Sequence, residues 1–141
     1  MPETVLHPLE TYRDFVYTIP DRFLSVRWST LVLYTISSQI GVVKGDLDFG
    51  NGITLRVAEQ VDFAAGRIVR YGYKVSRGGE VLYWYDPQPH PNDPTLTSTF
   101  PHHKHIPPNI KHNRVPAPGL SFDRPNLPFL IEEIERELLS E

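Results

Sequence analysis

The sequence predicts an α+β fold. A curved antiparallel sheet of about five strands, connected as a meander, is flanked by an N-terminal and a C-terminal helix, with a long ordered Pro/His-rich loop over the sheet. Three observations carry this. β-branched and aromatic residues cluster in strand-length segments between Leu24 and Asp86. Tight-turn chemistry separates those segments, with Asn51-Gly52 the strongest signal because both central residues of a type I′ turn need positive φ. The regular pattern then stops: eleven of the fourteen prolines fall between Pro87 and Pro128, where neither helix nor inner strand is expected to persist.

Taken in order, Pro8 to Tyr17 reads as a short helix, with Pro8 in its first turn, Leu9, Tyr12 and Val16 on one face, and Pro20 just beyond its end. The strand segments are Ser29–Ile36, Val42–Phe49, Ile53–Val61, Ile68–Val75 and Val81–Tyr85, and Ala65-Gly66 and Gly78-Gly79 mark two further tight connections. Alternation in the third segment puts Ile53, Leu55, Val57 and Val61 on one face, with Glu59 in the same series. In the fourth, Val69, Tyr71, Tyr73 and Val75 oppose Arg70 and Lys74. The fifth is apolar on both faces, which predicts a central strand or one covered by the later segment. Phe100, Ile106, Ile110, Val115, Leu120 and Phe122 recur through the proline-rich region and predict an ordered loop rather than a solvated tail. From Asn126, the expected N-cap, a closing helix carries Leu130, Ile131, Ile134 and Leu138 as one apolar stripe. The expected organisation is one domain over residues 1–141: helix 8–19, sheet 24–86, site loop 87–125 and helix 126–140.

Composition excludes several classes. With no cysteine there is neither a disulfide nor a thiolate metal site. No run reaches the ~18 apolar residues of a membrane span, and Met1-Pro-Glu-Thr-Val-Leu-His-Pro lacks a signal-peptide layout. A cytoplasmic protein without a membrane partner is expected. The net charge of −3 argues against indiscriminate nucleic-acid binding, but the charge is unevenly spread. Between Pro87 and Pro116 Asp93 is the lone acid, against Lys104, Lys111, Arg114 and five histidines. From Asp123 onward the balance reverses, with Glu132, Glu133, Glu135, Glu137 and Glu141 against Arg124 and Arg136. An acidic run of this kind is most often a solvated helix face.

Five of the six histidines, His90, His102, His103, His105 and His112, lie in the stiffened segment. Imidazole is the side chain whose ordinary pKa, ~6.5, lets it give and take protons near neutrality. If His102–His105 is extended, His103 and His105 project to one side and His102 and Lys104 to the other. Cleaving RNA without a metal needs a base for the 2′-hydroxyl, an acid for the leaving 5′-oxygen and a cation for the phosphate, parts that histidine and lysine supply. In that reading His103 and His105 transfer protons, Lys104 and Arg70 face phosphate, and Glu59, Asp86 and His90 support them. Tyr73 and His102 join Arg70 and Asp86 in binding substrate, tyrosine by stacking bases. No cofactor is required, but a divalent metal on His90, His103 and His105 is the alternative, although no standard ligand spacing is present. A histidine-rich surface loop without chemistry, and tyrosines that merely fill a sheet core, are the plain structural readings. Glu59 on a core-facing position must be paired or have its pKa raised.

Leu55-Arg-Val-Ala-Glu59, Tyr71-Gly-Tyr73, Tyr85-Asp86 with Pro89-His90-Pro91, and above all Phe100-Pro-His-His-Lys-His105 resemble the TumE toxin-like family, over about Tyr12 to Glu135. The Pro-His-His-Lys-His block is the specific part; the insertion from Pro107 to Pro118 is longer than the family pattern and leaves Lys111 and His112 without a role. The resemblance implies the toxin half of a prokaryotic toxin–antitoxin pair, hence a protein antitoxin, typically a small DNA-binding one, as partner. RNA as substrate and endoribonuclease activity follow from the loop together with how often such toxins attack RNA. A non-catalytic RNA- or protein-binding module and a metal-dependent hydrolase stay open, as does a homo-oligomer.

Overall fold

Alternation along the long central strands makes a sheet with one face filled and the other left open. In the computed structural model, which describes residues 5–140, the strands are β1 (Trp28–Ser29), β2 (Val32–Thr35), β3 (Ile40–Asp48), β4 (Ile53–Asp62), β5 (Arg67–Arg77), β6 (Glu80–Asp86), β7 (His103–His105) and β8 (Arg114–Pro116). Every pairing is antiparallel, in the order β1-β3-β4-β5-β6-β7-β8, with β2 also on β3. Residues 1–4 and Glu141 lie outside the described region, and with them part of the N-terminal reading and the last acid of the tail. Among the described residues no helix is long and apolar enough to cross a membrane.

The filled face carries Leu55, Val57, Glu59 and Val61 of β4, Tyr71, Tyr73 and Val75 of β5, and Tyr83 and Tyr85 of β6. Tyr12, Phe15 and Val16 of α1 (Leu9–Tyr17) and Leu127, Leu130, Ile131 and Ile134 of the C-terminal helix α3 (Leu127–Ile134) join them in one core. α2 (Ile19–Arg22) is a single turn between α1 and the sheet. On the open face, register aligns Lys44 with Ala58, Asp46 with Arg56, Ala58 with Gly72 and Lys74 with Trp84.

The sheet is larger than the expected five strands. The Pro/His-rich segment lies over the sheet only in part: it extends the sheet edge as β7 and β8, with a 3-10 turn at Pro94–Thr99 before them, while Ala117, Leu120 and Phe122 after β8 pack against the core. Inner strand β7 survives the proline density because His103-Lys104-His105 contains none, so its amides remain free to pair. Pro116 falls in the outermost strand, where a missing N–H costs no ladder bond. Pro20 lies just beyond the end of α1, as expected, and sits in the first turn of α2, where its missing donor is tolerated. Val69 is exposed rather than core-facing: a register shift after Gln60 brings Ile68 into the core instead. Asn126 precedes α3 without a side-chain cap; its amide binds Ser121 and Tyr73.

Candidate functional site

The period of two on β7 sends its three side chains to opposite faces, and this divides the expected site. His103 pairs with Asp86 and His105 with Trp84, placing all four on the open face. Lys104 pairs with Tyr85 and turns to the filled face. There its Nζ lies 3.1 Å from Glu133 Oε2 and 4.1 Å from the centre of the Tyr83 ring. Tyr85 donates to the same carboxylate at 2.7 and 2.9 Å. Lys104 therefore neutralises a buried glutamate and is separated from the histidine pair by the sheet itself. The acidic tail is accordingly not all solvated, since Glu133 turns inward while Glu132 and Glu137 stay exposed.

Glu59 faces the same side as Leu55 and Val57, as its alternation requires, but among the described residues no imidazole or cation meets it. Tyr12 donates to Oε1 at 2.6 Å and Tyr73 donates to Oε2, while Asn126 donates to the Tyr73 oxygen at 3.2 Å. Burial raises the Glu59 pKa, against the lowering effect of the two tyrosine hydrogen bonds. Glu59 and Tyr73 thus form a polar knot inside the core, away from the histidines. Arg70 is exposed on the open face, lining a hollow of about 440 Å³ with Lys44, Gln60 and Gly72. His102 stacks on Tyr71 and lies against Phe122, and its Nδ1 is 2.5 Å from the Tyr71 hydroxyl. Burial first, then Arg124 and His103, hold the His102 pKa below the ordinary value.

Asp86, His103 and His105 come together. His103 Nε2 lies 2.9 Å from Asp86 Oδ1, His105 Nε2 lies 3.2 Å from Oδ2, and the two imidazole nitrogens are 3.1 Å apart. Each ring is oriented from behind: His103 Nδ1 is 3.1 Å from the Pro101 carbonyl and His105 Nδ1 2.8 Å from the Ile110 carbonyl. The carboxylate is held too, by the Gln88 amide at 3.0 Å on Oδ1 and the Trp84 indole N–H at 3.2 Å on Oδ2. Burial alone would raise the Asp86 pKa, but the His103 hydrogen bond, the Gln88 amide and the two imidazoles bring it to about 2. Burial likewise lowers the His105 pKa, opposed by its Ile110 contact and by Asp86. His103 is 1 % and His105 5 % exposed, whereas the Asp86 side chain is 27 % exposed. Asp86 is the member of the trio that opens to solvent, lining a groove of about 360 Å³ with Arg56, Ala58, Gly72, Lys74 and Trp84.

His90 is adjacent but differently engaged. Its ring meets His103 edge-on at 4.9 Å, and its Nε2 accepts from Arg114 Nη1 at 3.3 Å. Burial and then Arg114 lower its pKa. Arg114, opposite His105 on β8, has its Nε buried without a hydrogen-bond partner among the described residues. Sequence reasoning gave no role to Arg114, Trp84, Arg56 or Lys74. Trp84 stands two residues before Asp86 and so shares its face, and Arg56 and Lys74 alternate with core residues; these signals were present, but which strands lay side by side was not.

A protein-family model described as Toxin TumE matches residues 19–138 of the chain. No curated protein and no solved structure matches it.

Proposed function

The chain belongs to the TumE toxin family, the toxin half of toxin–antitoxin pairs, and from that premise we propose that it acts by cutting RNA on the open face of its sheet. The observation that carries the reading is the convergence of Asp86, His103 and His105 at one end of a groove bordered by cations. Lys74 and Arg56, the latter paired with Asp46 at 3.0 Å, border the groove, and Arg70 and Lys44 lie on the neighbouring strands. Ala58 and Gly72 leave its floor low, so a phosphate backbone can approach between the longer side chains. Trp84, stacked on His105 at 4.4 Å and with Lys74 5.9 Å from its ring centre, holds the imidazole beside the carboxylate.

In the proposed reaction the 2′-oxygen attacks the adjacent phosphorus and the bond to the 5′-oxygen breaks. The 2′-hydroxyl proton leaves to a base, and a proton is returned to the departing 5′-oxygen. Cations at the groove offset the charge that builds on phosphate. Direct transfer by a free imidazole pair needs both Nε2 atoms to reach RNA, yet both point at Asp86 and at each other. This favours the trio acting together, through its exposed carboxylate or a group that it holds, over His103 and His105 as separate base and acid.

Expression in a bacterial host tests the reading. The wild-type chain is expected to arrest growth and to generate new RNA 5′ ends, and Asp86→Asn or His105→Ala to do neither at equal protein level. Arg56→Ala with Lys74→Ala should weaken RNA binding by an order of magnitude or more, since each lost phosphate contact carries affinity that falls with salt. Full toxicity of Asp86→Asn would overturn the assignment of this centre.

A further inference from the structure

Two backbone carbonyls settle the tautomers of the histidine pair. A carbonyl oxygen can only accept, so Nδ1 of His103, facing Pro101 O, and Nδ1 of His105, facing Ile110 O, must both carry hydrogen. In the neutral rings each Nε2 is then a bare lone pair. The two lone pairs lie 3.1 Å from each other and 2.9 and 3.2 Å from the oxygens of one carboxylate. Three acceptor groups therefore meet with no donor between them, at two side chains that are almost wholly buried. Such a meeting is unfavourable unless a proton on one ring or a metal cation lies within it; a proton satisfies the His103–Asp86 contact, whereas a metal ion engages all three groups at once.

We propose that Asp86, His103 and His105 form a binding site for a divalent first-row transition-metal ion. The spacing suits it: ligand atoms ~2.05 Å from a tetrahedral metal stand about 3.3 Å apart, close to the separations observed here. The surroundings suit it equally. Ligating imidazoles characteristically donate their other ring N–H to a carbonyl or carboxylate, and ligating carboxylates are themselves hydrogen-bonded; His103, His105 and Asp86 are each held in this way. Two imidazoles and one carboxylate leave at least one coordination position for water or substrate, the pattern of a reactive rather than a structural metal. Imidazole ligation selects zinc, iron, copper or nickel over magnesium. His90, expected from the sequence as the third ligand, is replaced by Asp86, because its Nε2 is occupied by Arg114.

The inference rests on the proposed function for what the ion does, namely activating a hydroxyl or water and balancing phosphate charge, but not for whether it binds. The competing occupant is a proton shared between the rings. Chelator-treated protein is titrated calorimetrically with Zn²⁺, Mn²⁺ and Mg²⁺, and with Co²⁺ while its visible absorption is followed. One transition-metal ion per chain is expected, bound at least tenfold more tightly than Mg²⁺, with Co²⁺ bands showing nitrogen ligation. His103→Ala, His105→Ala and the shape-conserving Asp86→Asn should each weaken binding at least tenfold, and the exposed His112→Ala should not. Absence of binding in the wild type, or binding unchanged by all three site variants, overturns the site. Metal binding without RNA cleavage would fail the proposed function and leave this inference standing; RNA cleavage by a protein that binds no metal would do the reverse.

Discussion

Two buried glutamates on the same face of the sheet are neutralised in different ways, and the difference decides what each can do. Glu59 receives hydrogen bonds from Tyr12 and Tyr73 and no cation, so burial raises its pKa above the ordinary 4.5. A carboxyl held above its ordinary value binds its proton more tightly folded than unfolded. Its contribution to stability is complete below 4.5 and is lost as pH rises through the raised value, with a slope of at most ~1.4 kcal/mol per pH unit. Denaturant melts across pH should therefore show a loss of stability with rising pH in the wild type that Glu59→Gln lacks; parallel profiles would place Glu59 in contact with water. Glu133 instead has Lys104. Lys104→Ala leaves that carboxylate without its cation and should cost about 2–3 kcal/mol, discounted from the ~3–5 of a fully buried pair because the lysine side chain is 21 % exposed. The pair Lys104→Met with Glu133→Gln should recover most of the loss in the same melts. If Lys104→Ala is as stable as wild type, the lysine is not held there.

At the scale of elements, the long strands were legible and the short ones were not. Alternation over β4 placed Glu59 inside and Arg56 outside because ten residues repeat the period often enough to fix it. β7 and β8 have three residues each, too few to show a period, amid prolines that argue against any strand. The division of His103 and His105 from Lys104 was readable from the period of two, but its consequence was not. Only pairing of β7 with β6 reveals that the histidines meet Asp86 and the lysine meets Glu133. The break between β1 and β2 was similarly invisible. Gly45 on β3 has φ +139°, and a Cβ there would lie 2.6 Å from the Thr30 carbonyl, so the passing chain bends over it. Gly45→Ala should destabilise the protein by about 2–3 kcal/mol, whereas Gly72→Ala, whose Cβ would meet nothing within 4 Å, should stay within about 1 kcal/mol. Equal melting behaviour of the two would contradict this account of the bend.

Across the whole molecule, both long helices cover one face of the sheet and leave the other uncovered. That open face carries Lys44, Arg70 and Lys74, with Arg56 in an ion pair with Asp46 at 3.0 Å, beside the Asp86 trio, although the chain as a whole carries a net charge of −3. Membership of the TumE toxin family implies an antitoxin, and a partner that silences the toxin can do so by covering these cations with acidic groups. Co-expression with the product of the neighbouring gene should yield a stable complex whose affinity falls with salt and with Arg56→Ala; failure to form any complex would contradict it. The central claim, that the trio at the end of the basic groove breaks RNA, is tested most directly by incubating purified chain with a defined single-stranded RNA, comparing wild type with Asp86→Asn after circular dichroism has shown both to be folded. Discrete cleavage products from the wild type and a rate at least ~100-fold lower for the variant are predicted. Intact RNA with the wild type in the presence of zinc, manganese and magnesium alike, or equal cleavage by the two proteins, would contradict it.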